Sequence, residues 1–427
     1  MYTLTEKIVH IWKLRDLRKN ILYVLLMLVI FRFAAHIPVP GIDREVLREF
    51  FAGNQFLGLL NIFSGGGMEN FSVVALGIAP FITSSIIFQL LAMVVPSLEE
   101  LSKEGEYGRQ KINQYTRWLT VPLAALQGYG LIAILRNQTN AMLGNISALQ
   151  LGGMLITLTA GTIFLMWIGE LISGKHVGNG ISLLIFAGIV ASLPTIIQRN
   201  IVTFDPTRLT TMLIFTVIAV ITVVGVVIIT EGQRNVPVSY AKRVRGTRMF
   251  GGVDTHLPLR VNMAGVIPII FAISLILFPP MIAQFFLRST TTWVAALADN
   301  IMALFNNQLI YGILYFVLVF GFTYFYTAVI FHPDQIAENL QKQGGFIPGI
   351  RPGKPTADYL GYTINRILLA GALFLGLIAI LPLITQRITG TQALVIGGTS
   401  LLIVVSVVIE TVKQIQSQLT MHDYERM

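Results

Sequence analysis

Ten apolar runs of roughly 20 residues, each long enough to cross about 30 Å of hydrocarbon, constrain this chain more than any other feature. They cover Ile21–Ile37, Phe71–Val95, Trp118–Leu135, Leu151–Ile172, Ile181–Ile197, Thr210–Thr230, Met263–Phe286, Ile310–Phe331, Ile367–Ile384 and Ala393–Ile409. Lipid offers backbone amides no water, so each run must satisfy its own hydrogen bonds and reads as a membrane-spanning helix. A composition 54% hydrophobic and only 12% charged agrees with an all-α polytopic membrane protein of ten transmembrane helices.

An even number of spans places both termini on one side, and the basic residues choose it. The N-terminal segment, the even-numbered loops and the tail hold 22 of the 30 Lys and Arg, against 7 in the odd-numbered loops, so both termini are expected in the cytoplasm. The first run ends in "RFAAHIPVPG", which has no small-residue cleavage site, and is expected to be a retained span rather than a signal peptide. Ten spans divide into five and five, residues 21–198 and 199–410, which permits an inverted repeat. Residues 1–20 precede them, with Leu4, Ile8, Ile11 and Trp12 at helical spacing opposite Lys7, Lys13, Arg15 and Arg18. That pattern fits an interfacial helix, and equally a helix whose apolar face another membrane subunit covers. Residues 411–427 form a cytoplasmic tail.

Three segments break the pattern of simple spans. "NIFSGGGMENFSVVALGIAPFITSSIIFQLL", Asn61 to Leu91, opens its apolar run with three glycines and Glu69. Lipid does not tolerate such a start, so it must border water or protein. Two cytoplasmic loops, about 231–262 and 332–366, exceed what joins neighbouring spans. The first carries Lys242, Arg243, Arg245 and Arg248; the second carries Arg351 and Lys354 in "GGFIPGIRPGKPTADYL", where Gly and Pro fix a turn that projects the guanidinium. These charges serve either to hold the loops inside or to dock an anionic partner such as ribosomal RNA or an acidic protein face.

The residues needed for chemistry at span depth are nearly missing. The six histidines lie in loops or at span edges without metal-ligand spacing, and the chain has no cysteine, so neither a metal centre nor a thiol nucleophile is expected. "GELISGKH" has the outline of a phosphate loop, but His176 stands where a Ser or Thr would hold magnesium, and no strand precedes it. Glu170 reads as a helix-end carboxylate rather than a catalyst. The polar residues left within spans are uncharged: Ser84, Ser85, Gln89, Gln127 and Asn262. They suit interhelical hydrogen bonds of about 0.6 to 2 kcal/mol each, hence a helix seam that can open.

Six stretches in chain order, the Asn61–Leu91 segment, "KEGEYGRQKINQYTR", "VGNGISLLIFAGIVASLP", "THLPLRVNMAGVIPIIFA", "GGFIPGIRPGKPTADYL" and "GGTSLLIVVSVVIE", resemble successive signatures of the SecY family, the large subunit of the bacterial protein-conducting channel. The resemblance runs from the first span to the tenth. It implies two pseudo-symmetric five-helix halves with a half-helix plug, in the bacterial inner membrane, clasped by SecE, often joined by SecG, and driven by the SecA ATPase or a translating ribosome. Such a channel passes unfolded secretory proteins and releases the hydrophobic segments of nascent membrane proteins into the lipid bilayer. Carried over by position, the plug is Phe63, Ser64, Gly65, Gly66, Gly67, Met68, Glu69 and Asn70, continuing to about Phe71. The pore ring is Ile78, Ile82, Ile185, Ile189, Ile270 and Ile403. Gln89, Gln127 and Asn262 match the lateral gate, and Arg351 the tip of the second large loop. The tail after Glu410 is shorter and less basic than in many members.

Spacing supports part of this on its own. Ile78 and Ile82, like Ile185 and Ile189, are four apart and share one helical face, though such a face can equally meet lipid or packed core. A glycine-rich segment is acceptable as a movable stopper in a water-filled funnel, where Glu69 stays hydrated. A secondary transporter with inverted repeats is the competing class, and an intramembrane enzyme a more distant one. Both should display ionisable groups at mid-membrane, of which these spans show almost none.

Overall fold

The computed structural model describes residues 12–39, 64, 66–68, 70–138, 147–202, 209–240, 243–245, 248–250, 255–287, 291–389 and 398–425. The helices are α1 (Arg15–Ala34), α2 (Ala79–Val94), α3 (Pro96–Lys103), α4 (Glu106–Gln138), α5 (Ala148–Ser173), α6 (Gly180–Val202), α7 (Leu209–Glu231), α8 (Ile267–Phe286), α9 (Thr292–Asn306), α10 (Gln308–Ile330), α11 (Pro333–Lys342), α12 (Lys354–Thr389) and α13 (Gly398–Glu425). Each of the ten apolar runs falls on one of them. Among the described residues, five helices are individually long and apolar enough to cross a membrane. α2 and α3 add a sixth candidate as a pair bent by 102°. The bend has a local cause: Pro96 opens α3, and the ring of a proline forces the preceding residue, Val95, into extended backbone (ψ 111°).

The chain packs as two compact units. One comprises Met1–Leu209, Ser274–Asn307 and Val407–Met427; the other comprises Thr210–Ile273 and Gln308–Ser406. This is a different partition from the five-plus-five division of the sequence, because α8 and α13 each belong to both.

In the first unit α2 packs on α4, α4 on α5 and α5 on α6, while α1 lies against α5 and α6. Glycines allow the closest approaches. A Cβ on Gly180, at the start of α6, would stand 1.8 Å from the Gly169 carbonyl oxygen of α5, so no other residue fits there without displacing backbone. The start of α5 is set by a capping box in which Ser147 and Gln150 exchange side-chain and backbone bonds. Arg117 of α4 and Glu170 of α5 form an ion pair at 2.7 Å, which gives Glu170 the structural role expected of it.

In the second unit the two long loops, read separately in the sequence, build one folded head. Strand β1 (Gln233–Tyr240) pairs antiparallel with β4 (Thr255–Arg260), Gln233 opposite Arg260 and Val238 opposite Thr255. It also pairs with the two-residue β5 (Gly345–Phe346) from the other loop, giving the order β4-β1-β5. Between β1 and β4, β2 (Arg243–Arg245) and β3 (Arg248–Phe250) form a separate two-stranded ribbon. These strands depart from helix, and the sequence reading did not anticipate them. Alternation explains them: Val236 and Val238 point inward while Asn235 and Pro237 stay exposed. The inward residues meet Leu259, Ile347, Leu360 and Ile364 in a common core.

Leu360 is fully buried there, so Leu360→Ala should cost about 2–5 kcal/mol in lost burial and cavity. Trypsin should then cleave after Lys342, exposed in the last turn of α11, several-fold faster than in the parent. Leu369→Ala, at an exposed position of the same helix α12, should leave the rate unchanged.

Candidate functional site

The segment that raised the question in the sequence is not helical where the structure describes it. Ser64, Gly66–Met68 and Asn70–Ile78 form a chain of turns, and the regular helix begins only at Ala79, eight residues into the second apolar run. Left-handed backbone at Gly66 (φ 80°), Phe71 (φ 41°) and Gly77 (φ 58°) accounts for this, since a right-handed helix cannot pass through such residues. The segment is held by its own bonds. The Met68 amide donates to Ser64 Oγ at 3.0 Å, the Ser72 amide to the Gly67 carbonyl at 2.8 Å, and Asn70 Nδ2 to the Gly66 carbonyl at 3.3 Å.

The glycine run now has a specific explanation at two positions. Gly66 takes a φ that side chains resist, and a Cβ on Gly67 would stand 2.9 Å from Ser72 Oγ and 3.0 Å from the Ser64 carbonyl oxygen. The setting also differs from a stopper surrounded by water. Met68, Phe71, Ala75 and Leu76 are buried in one hydrophobic cluster with Ala124, Leu131, Ile132 and Leu135 of α4 and Met154 and Leu158 of α5. Beyond Asn70, a short antiparallel bridge ties the segment to the chain leaving α1. The Val39 amide donates to the Phe71 carbonyl at 2.8 Å, and the Val73 amide to the Ile37 carbonyl at 2.9 Å. The prolines of "IPVPG" were the only sequence signal of that extended stretch. Phe63, Gly65 and Glu69 lie outside the described residues.

All six isoleucines expected to form the ring are buried, none more than 8% exposed, which removes the lipid-facing reading that their spacing left open. Ile78 and Ile82 sit at the entry to α2, one turn apart through the Ile82 amide and Ile78 carbonyl at 3.1 Å. Ile185 and Ile189 lie one turn apart on α6. These four belong to the first unit. Ile270 on α8 and Ile403 on α13 belong to the second.

The gate amides behave differently from expectation. Gln89 Nε2 donates to Ser85 Oγ on its own helix at 3.0 Å, and Asn262 Nδ2 to the Gly265 carbonyl three residues on at 3.1 Å. Both bonds are local, and the buried carbonyl oxygens Gln89 Oε1 and Asn262 Oδ1 have no protein partner among the described residues. Gln127 is buried on α4. The interhelical bond in this region is made instead by Ser84, whose hydroxyl donates to the Thr116 carbonyl of α4 at 2.7 Å.

Of the docking residues, Arg351 and Lys354 are exposed on the head. Arg351 sits in a turn bracketed by left-handed Gly349 (φ 83°) and Gly353 (φ 94°), and its carbonyl accepts the Thr356 hydroxyl at 2.8 Å. The backbone is thereby fixed while the guanidinium projects. Lys242 lies outside the described residues; Arg243, Arg245 and Arg248 are on the β2–β3 ribbon. No group of three or more metal-ligating side chains occurs among the described residues.

A many-span helical protein with a turn-built segment seated against its spans, and a polar head formed by two distant loops, has the architecture of a protein-conducting channel. A solved structure described as a protein conducting channel matches with TM-score 0.62 at 18% identity, over 92% of this chain and 91% of that one. Sec61 from the canine ribosome-channel complex matches with TM-score 0.60 at 17% identity, over the same shares. The SecY family model matches residues 72–412, and the chain belongs to the SecY family. The protein translocase subunit SecY of Streptomyces galbus is 46% identical over 96% of both chains. That of Halalkalibacterium halodurans is 44% identical over 97% of this chain and 98% of the relative.

The seat of the turn segment can be tested at Gly161 of α5, where a Cβ would stand 1.9 Å from the Val73 carbonyl oxygen. Gly161→Ala should cost about 1–3 kcal/mol through forced backbone displacement and lower the thermal unfolding midpoint in detergent. Gly152→Ala, on the same helix with open space around it, should not lower it. Equal midpoints for the two variants would mean that the segment is not seated there.

Proposed function

We infer that this chain is the central, channel-forming subunit of the Sec translocon, passing unfolded secretory proteins across a membrane and releasing hydrophobic segments sideways into lipid. The observation that carries the reading is end-to-end similarity to protein translocase subunits, 46% identity over 96% of the chain in one case. The membrane is the bacterial inner membrane and both termini are cytoplasmic, as the distribution of basic residues favours. The halves 21–198 and 199–410 are the pseudo-symmetric pair.

Ile78, Ile82, Ile185, Ile189, Ile270 and Ile403 form the constriction. A protein-conducting pore must hold ions back yet bind no passing side chain strongly, and branched aliphatic groups do both, because an empty apolar constriction dewets. Residues 63–70 are the plug beneath it. Gln89, Gln127 and Asn262 line the lateral gate. The orphaned carbonyl oxygens of Gln89 and Asn262 support this reading, since a buried unpaired amide disfavours the arrangement that buries it by about 1–3 kcal/mol and leaves an acceptor for a moved helix.

Lys242, Arg243, Arg245, Arg248, Arg351 and Lys354 dock the motor, SecA or a ribosome. A Sec61 structure from a ribosome-channel complex supports the second alternative. SecE and SecG are the companion subunits.

Two measurements test the reading. Changing Ile82, Ile189, Ile270 and Ile403 together to Asn should give resting ion conductance in planar bilayers without substrate. Conductance as low as the parent's, even after residues 64–70 are deleted, would exclude these isoleucines as the seal. Separately, Arg351→Glu should leave membrane insertion and companion-subunit binding intact but abolish translocation driven by SecA. Translocation at the parental rate would reduce Arg351 to a topological charge.

A further inference from the structure

Arg32 is charged, lies inside the first apolar run, and has no role in the channel reading given above. An ionised side chain within a span costs about 2.5–3.5 kcal/mol at the helix centre on insertion scales, and as a rule it has a partner and a task. The modest explanation is that it sits in the last turn of α1, where a cation suits the negative end of the helix and could reach toward water.

Two observations give it a more specific one. The side chain is half-buried, and its guanidinium lies against the turn segment: a methyl group on Gly66 would stand 3.8 Å from Arg32 Nη1. The chain just beyond Arg32 is the strand that bonds the root of that same segment, through Ile37 and Val39 to Val73 and Phe71. The C-terminal end of α1 therefore meets the segment twice, once by backbone at its root and once by a guanidinium at its glycines. His36 Nδ1 lies 2.8 Å from the Arg32 carbonyl oxygen and fixes the turn between the two contacts. A guanidinium offers five donors in a rigid plane, and a turn-built segment carries carbonyl oxygens that no helix ladder uses. A residue without a side chain at Gly66 lets that plane approach the backbone.

We propose that Arg32 is the latch of the plug: its guanidinium holds the turn at Gly66 against α1 in the resting channel and lets go when the plug moves. The proposal rests on reading this segment as a plug. Arg32 acts through the segment and touches no substrate, so it is a positioning residue.

The chain has no cysteine, so an introduced one is a clean probe. Met68→Cys, at a position 5% exposed in the segment, should react slowly with a water-soluble maleimide in the assembled complex. Adding Arg32→Met should speed the reaction about tenfold or more, the effect expected for losing one charge-assisted hydrogen bond, and Arg32→Lys should fall between. Leu165→Cys, fully buried in α5, should stay protected throughout. If it opens in Arg32→Met, the comparison passes to Arg32→Lys, where a rate above the parent's supports the latch. A parental Met68→Cys rate in the decisive variant overturns it. Resting conductance, measured alongside, separates the two ideas. Faster labelling with unchanged conductance keeps the latch and removes the sealing role of the segment. Raised conductance with unchanged labelling removes the latch and leaves the plug reading standing.

Discussion

Backbone outside a helix can exist at membrane depth only where protein or a water-filled cavity satisfies it, and the described part of the turn segment, Ser64, Gly66–Met68 and Asn70–Ile78, is held by a few short bonds. The pairing of Ile37–Val39 with Phe71–Val73, and the turns closed by Ser64 and Gly67, account for amides that a helix would otherwise have satisfied. Much else follows from this. α2 can begin as late as Ala79, and α5 must carry glycine where the Val73 carbonyl passes. The segment is bonded to the chain after α1 and packed by apolar contact on α4 and α5. It is therefore attached by interactions that can be exchanged one at a time.

The head solves a different problem. Neither long loop has enough apolar surface to fold alone, but β1 places Val236 and Val238 on one face, and the second loop supplies Ile347, Ile350, Leu360 and Ile364 to cover them. The β1–β5 pairing at Ser239–Phe346 and Tyr240–Gly345 fixes how the two loops meet. Gly345 keeps that approach open, since a Cβ would stand 3.0 Å from the Tyr240 ring. Arg351 thus projects from a folded body.

How much was legible in the sequence depended on the range of the interaction involved. Spans were visible because hydropathy over 20 residues is a property of the chain alone, and each of the ten runs overlaps a helix. The importance of the Asn61–Leu91 glycines was visible too, though their reasons were not. Gly67 is small because Ser72 returns to it, and Gly161 because Val73 crosses α5, and both facts need coordinates. The strands of the head were missed because "QRNVPVSY" alternates only briefly and its partners lie 17 to 107 residues away. The gate amides were expected to bond across helices; periodicity puts a side chain on a face but cannot say whether a nearer hydroxyl or carbonyl will take its donor. Ser84 made the cross-helix bond instead because its short hydroxyl faces the Thr116 carbonyl.

Helix α12 starts three residues beyond Arg351 and continues without interruption for 36 residues, about 54 Å at 1.5 Å per residue. Its first turns are built into the head through Leu360 and Ile364. Farther along it lies tight on α10, where Gly376 faces Phe316 and Gly312 faces Leu383. A rod anchored in this way is mechanically a lever. Force applied at the exposed turn is not absorbed by a flexible tether, because the turn is pinned to the rod by the Thr356 hydroxyl. It reaches the membrane as a tilt of the whole helix about its line of contact with α10, and Pro382, near the far end, is the first point at which the rod can bend.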